Sequence, residues 1–230
     1  MKTIGLIGGM SWESTVDYYR YLNEGVKESL GGLNSAKILL YSYNFNEVEV
    51  MQHSGDWEEL TKNMVDKAIK LQEAGANMIA ICTNTMHKMA PDIEKAVNIP
   101  LIHIADATGA VIKDRKQKKV ALLGTTFTMN GDFYKKRIKE KFDIEVLVPN
   151  KEDKQIIHNI IYNELCKGII KEESKSKYIE IIEKLAKEGA EGVILGCTEI
   201  PLLIKNGDTS IPVYDTTKIH SDAILKEALK

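Results

Sequence analysis

The segment LQEAGANMIAICTNT, beginning at Leu71, lies over LAKEGAEGVILGCTE, beginning at Leu185, with Gly75 on Gly189 and an offset of 114 residues. Two further pairs keep nearly the same spacing. Thr3-Ile-Gly-Leu-Ile-Gly-Gly falls on Lys119-Val-Ala-Leu-Leu-Gly-Thr at 116, and Ile99-Pro-Leu-Ile on Ile211-Pro-Val-Tyr at 112. Three apolar runs recurring in one order at so constant a distance mark a duplicated structural unit. The chain is thereby restricted to two similar lobes related by a pseudo-twofold.

Within each copy, apolar runs suited to buried strands alternate with amphipathic helical segments. Strands are expected at 3–7, 38–42, 77–82, 101–104, 120–123, 145–148, 193–196 and 212–214. Helix punctuation lies between them: Asp56-x-x-Glu59 opens a segment that Gly75 closes, and Gly31-Gly32 follow a helix starting near Ser11. The pattern predicts an α/β fold of two pseudo-symmetric lobes, each a mostly parallel sheet flanked by helices. Open parallel sheets bind ligands at the carboxyl ends of their strands, so the active site is expected in the cleft between the lobes. No Pro/Gly/Ser-rich linker separates the copies, and crossings are expected near Ile104 and Ile211. That gives a first lobe of residues 1–103 plus 211–230 and a second of 104–210, with the helix after Asp215 returning to the first.

Composition excludes several function classes. With 31 basic and 33 acidic residues, a net charge of −2 and no basic block, the chain lacks the electrostatic footprint of a nucleic-acid binder. No apolar run approaches the roughly 20 residues that span a bilayer, and MKTIGLIGG is strand-like rather than a signal, so a cytoplasmic protein without a membrane partner is expected. The cysteines, Cys82, Cys166 and Cys197, have no C-x-x-C spacing, which argues against a disulfide framework and a thiolate metal site. Gly5, Gly8 and Gly9 do not spell G-x-G-x-x-G, so no dinucleotide is expected either.

The chemistry gathers where the repeated strands end. The run at 78–81 stops in Cys82-Thr83-Asn84-Thr85-Met86-His87, and the repeat sets Thr83 on Cys197 and Asn84 on Thr198. Inverting a carbon that bears hydrogen needs a base on one face and an acid on the other, and two strand ends related by a twofold suit that task. A thiol near pKa 8.5, lowered by N–H dipoles or cations, is expected to supply thiolate near neutrality. Gly9 and Met10, with Thr125 and Thr128 in the second copy, are expected to present donors to a carboxylate, tight turning being the other explanation of the glycines. Asn84, Thr85 and Thr198 serve equally as substrate donors or helix caps. His87 has the spacing of a site residue and also that of a helix-start histidine bonding a carbonyl. His103 and His158 read as structural, and Cys166 as a small packed residue before Gly168.

MKTIGLIGGMSWEST at the start, CTNTMH at 82–87 and GCTE at 196–199 together resemble the aspartate/glutamate racemase superfamily over essentially the whole chain. The likeness is nearest to the L-aspartate/glutamate-specific or broad-specificity amino-acid racemases. It implies cofactor-independent, two-base proton transfer on a small amino acid by a homodimer. Thr83 and Cys197 are then the catalytic pair, with Met10, Gln52, Asn84, Thr85, Thr125, Thr128, Thr198 and Glu199 binding substrate. Two positions depart from the pattern. Threonine stands at 83 where the usual motif, Cys-Asn-Thr-x-His, begins with cysteine, and neighbouring Cys82 cannot replace it because successive strand residues point to opposite faces. The arginine and lysine that grip a distal carboxylate in aspartate racemases align with Glu49 or a neighbour and with Cys166, leaving Gln52 and Lys167 as alternatives. Acidic and uncharged polar substrates both stay open, as do a racemase or isomerase of a hydantoin or dicarboxylate and a non-catalytic binding protein derived from the fold.

Overall fold

Short parallel strands form where the apolar runs lie, and the computed structural model describes every residue, Met1–Lys230. The first half runs β1 (Ile4–Gly8), α1 (Trp12–Leu30), β2 (Ile38–Ser42), α2 (Phe45–Ser54), α3 (Trp57–Glu73), β3 (Met78–Ile81), a 3-10 turn (Thr85–Met89), α4 (Ala90–Ala96) and β4 (Leu101–Ile102). The second runs α5 (Ile104–Asp114), β5 (Lys119–Gly124), α6 (Thr126–Asn130), α7 (Asp132–Phe142), β6 (Glu145–Leu147), α8 (Lys151–Asn163), a 3-10 turn (Leu165–Lys167), α9 (Glu172–Lys187), β7 (Val193–Gly196), α10 (Ile200–Leu203), β8 (Val213–Asp215) and α11 (Thr216–Ala228). No helix is long and apolar enough to cross a membrane.

Strand order is β2-β1-β3-β4 in one sheet and β6-β5-β7-β8 in the other, with every pairing parallel. The pairing register reproduces the sequence repeat. Gly5 lies opposite Ile79 as Ala121 lies opposite Val193, and Ile79 opposite Leu101 as Val193 lies opposite Val213. These are the same three offsets, 116, 114 and 112, now expressed as hydrogen-bonded neighbours. A fourth correspondence, Ile38 with Val146, follows from their pairing with Ile4 and Val120. It is silent in the sequence, where Ile38–Ser42 and Glu145–Leu147 share no matching pattern.

The compact units are Met1–Ile104 with His220–Lys230, and Ala105–Ile219. The boundary assigned from sequence at 211 precedes β8, whose pairing with β7 keeps 213–215 in the second sheet, and the later crossing falls inside α11.

Both sheet faces are packed in the first unit, and period-2 alternation sorts the side chains. Ile7, Ile79 and Ile81 meet Leu60, Met64 and Ala68 of α3, whereas Ile4, Leu6, Met78, Ala80 and Cys82 meet Tyr18 and Leu22 of α1 and Ile224 of α11. Asp56 caps α3, its side chain accepting from the Glu59 amide. In the second unit Ala121, Leu123, Val193 and Leu195 pack on Ile157 of α8 and on Tyr178, Ile181, Ile182 and Leu185 of α9, whose charged side faces water. Each such aliphatic side chain contributes about 1.5–3 kcal/mol on burial, so the sheets need no staple.

Candidate active site

In the first unit β1 ends at a reversal that glycine alone fits. Gly9 has φ +83°, and a Cβ there would overlap the backbone of Tyr43. Its amide donates to Thr15 Oγ1 at 2.8 Å, and the Thr15 hydroxyl donates to the Ser11 carbonyl at 2.9 Å, closing the 9–11 loop onto α1. The Gly9 N–H expected to meet a carboxylate is therefore engaged within the loop. Thr15, whose role no motif signals, shapes this corner. Gly9→Ala is expected to destabilise the protein by about 1–2 kcal/mol from the left-handed backbone alone, read as a lowered urea midpoint. An unchanged midpoint would show that the loop relaxes freely.

Met10 is buried against the α3 side of the sheet. Thr83 follows β3 and is half-buried, whereas Asn84 and Thr85, which open the 3-10 turn, are buried. The Thr83 carbonyl accepts from His87 Nδ1 at 2.8 Å, so His87 has the carbonyl-bonding role. Gln52, in the last turn of α2, is buried with Nε2 3.2 Å from Met86 Sδ, which brings it beside the same turn. Cys82 lies on the opposite face of the strand, and burial pushes its thiol far above the ordinary range. His103 is buried 4.5 Å from the His87 ring, centroid to centroid.

In the second unit β5 and β7 end in facing glycines, Gly124 and Gly196. A Cβ on Gly124 would come within 2.7 Å of the Gly196 carbonyl oxygen, so the two strands close tightly beneath Thr125 and Cys197. Thr125 caps α6, accepting from the Thr128 amide at 3.3 Å, and the two hydroxyls are also 3.3 Å apart. His158 Nδ1 accepts from the Thr126 amide, which makes it a brace for this loop.

Cys197 Sγ donates to Glu199 Oε2 at 3.0 Å, and Thr198 Oγ1 donates to the same oxygen at 3.0 Å. All three residues are buried, with Cys197 9% exposed. Burial raises the thiol pKa well above its usual range, and the Glu199 charge raises it further. Burial and the carboxylate both work against the thiolate expected from sequence and favour a thiol that holds its proton at rest. Glu199, expected at the substrate, here accepts from the sulfur. Cys166, half-buried in the Leu165–Lys167 turn, packs against the same cluster as Cys197.

A built-in clamp for a distal carboxylate is not present at the aligned positions. Glu49 lies 3.3 Å from His53 Nδ1 on α2, Lys167 is exposed, and the buried polar residues include no lysine or arginine. No group of three His, Cys, Asp or Glu side chains is arranged to hold a metal ion.

The profile of the Asp/Glu/Hydantoin racemase family matches residues 7–224. The broad specificity amino-acid racemase RacX of Bacillus subtilis (strain 168) is 24% identical over 222 residues, covering 93% of this chain and 92% of that protein. Among solved structures, a Yersinia pestis protein provisionally assigned as an Asp/Glu racemase is 52% identical with a TM-score of 0.94, over 100% of both chains. An aspartate racemase homologue from Pyrococcus horikoshii OT3 is 42% identical with a TM-score of 0.86, again over 100% of both chains.

Proposed function

The chain belongs to the Asp/Glu/Hydantoin racemase family, and from that membership we propose that it is an amino-acid racemase working without a cofactor, with Thr83 and Cys197 serving opposite faces of the substrate α-carbon. The observation that carries this assignment is the matched register of β3 and β7, which puts the two residues at equivalent places after equivalent strands. The substrate is a small amino acid. Met10, Gln52, Asn84, Thr85, Thr125, Thr128 and Thr198 supply its neutral polar and apolar surroundings. A homodimer in the cytoplasm completes the proposal, and sedimentation measures the first of these.

Racemisation removes the α-proton, leaves its electron pair delocalised into the carboxylate, and returns a proton to the other face. Cys197 enters with its proton in place, ready to act as the acid. To act as the base it must first shed that proton, and Glu199 Oε2 is the acceptor already at hydrogen-bond distance. Glu199 thus sets which form the sulfur takes. A threonine hydroxyl is a far weaker base than a thiolate, so transfer at Thr83 is the expected slow step. The enantiomers have equal free energy in water, so kcat/KM must match in the two directions. Any bias lives in kcat and KM separately.

In deuterium oxide, without added pyridoxal phosphate, an L-amino acid is expected to yield its D-enantiomer carrying α-deuterium. The measurement is mass spectrometry after chiral separation, across a panel of acidic, polar and basic amino acids. Absence of both exchange and inversion for every member would sink the assignment.

A further inference from the structure

Three histidine rings of the first unit are buried together, His87 lying 4.5 Å from His103 and 5.6 Å from His220. Two of them grip the chain where β4 passes into α5. The Ile102 carbonyl can only accept, so His220 donates to it from Nε2 at 2.7 Å, and the Tyr18 hydroxyl donates to His220 Nδ1 at 2.7 Å. His87 is protonated the other way. The Ile104 amide can only donate, and it does so to His87 Nε2 at 3.2 Å, so the ring proton sits on Nδ1 and goes to the Thr83 carbonyl. The His87 residue is 1% exposed, which keeps water from competing for either bond.

We propose that His87 is a positioning residue for Thr83, its Nδ1–H holding the Thr83 carbonyl and thereby setting where the Thr83 hydroxyl points. This rests on the racemase assignment above. A threonine hydroxyl sits one bond from Cβ and has little reach of its own, so its placement follows the backbone. Misplacing a reacting group by about 1 Å can lower a rate roughly 10²-fold. Cys197 has a separate tether in Glu199, so only one of the two proton transfers depends on His87.

Three variants separate positioning from packing. His87→Asn keeps an amide donor near the place of Nδ1, His87→Gln puts its amide nearer the place of Nε2, and His87→Ala keeps neither. Each is assayed below its own unfolding midpoint in deuterium oxide, with both enantiomers of aspartate, glutamate, serine and lysine, and inversion is read separately from α-deuterium exchange. Inversion is expected to fall roughly 10- to 100-fold in the Gln and Ala variants and to stay within about threefold in the Asn variant. Exchange with retention, for the enantiomer whose α-hydrogen meets Cys197, continues in all three. Equal losses in Asn and Gln, no loss in any variant, or exchange falling in step with inversion would each overturn the proposal while leaving the racemase assignment standing. Wild-type protein that exchanges none of these substrates overturns the assignment and this proposal with it.

Discussion

Replacing Cys197 by serine is expected to lower racemisation roughly 10²–10⁴-fold, the usual range for removing a general acid or base. Serine keeps the shape and the bond to Glu199 Oε2, which Sγ now makes at 3.0 Å, so the buried carboxylate stays partnered and the fold is preserved. What changes is proton affinity: an alkoxide is far harder to form than a thiolate, and a hydroxyl is a poorer acid toward a carbanion. Binding should move by less than about threefold, because in the proposed site neighbouring hydroxyls and amides, rather than the sulfur, hold the carboxylate. Calorimetric titration with each amino acid that is turned over, beside a chiral assay, separates the two effects. Near-normal turnover would remove Cys197 from the chemistry. Intact binding with no turnover even in wild-type protein would instead favour a binding protein built on a racemase fold.

Acid is expected to remove about 3 kcal/mol of stability through His220 alone. Burial lowers its pKa from 6.5 to about 4, with the bond to the Ile102 carbonyl opposing the shift. The unfolded chain therefore binds a proton between these values that the folded protein refuses. Stability from this source is complete above about pH 6.5, falls as pH drops, and levels out below about pH 4. The charged ring would also carry a proton on Nδ1, where the Tyr18 hydroxyl now donates, so protonation forces that buried bond to reverse, with the Tyr18 oxygen accepting. Urea midpoints measured from pH 7.5 to 4 should show this slope, and His220→Gln, which keeps an amide donor without titrating, should flatten it whatever its effect at neutral pH. An identical slope in both proteins would assign the acid sensitivity elsewhere.

Much of the architecture was legible because its signals are local. Every strand was located from a short apolar run bounded by turn residues. The duplication was visible because buried central strands such as β1, β3, β5 and β7 must present matching apolar faces in both copies. β2 and β6 share no such pattern, and their equivalence emerged only from pairing. The extent of the second unit is not legible either: Ile211-Pro-Val-Tyr announces a strand without saying how far the chain continues before it crosses. The role of Thr15 is not legible in sequence, because nothing in Ser-Trp-Glu-Ser-Thr distinguishes a hydroxyl that closes a loop from one on a helix surface.

By itself the sequence determined the α/β class, the two copies and the equivalence of Thr83 with Cys197, since periodicity and spacing are properties of the chain read in order. Only the tertiary structure decided that the Cys197 thiol holds its proton, that Gly9 spends its amide on Thr15, and that His87 and His220 are protonated on opposite nitrogens. Those outcomes depend on which groups meet after folding, as Tyr18 meets His220 across 202 residues, and on how far water is kept from them. Proton affinity and hydrogen-bond direction are set by such neighbours, and one-dimensional spacing does not encode them.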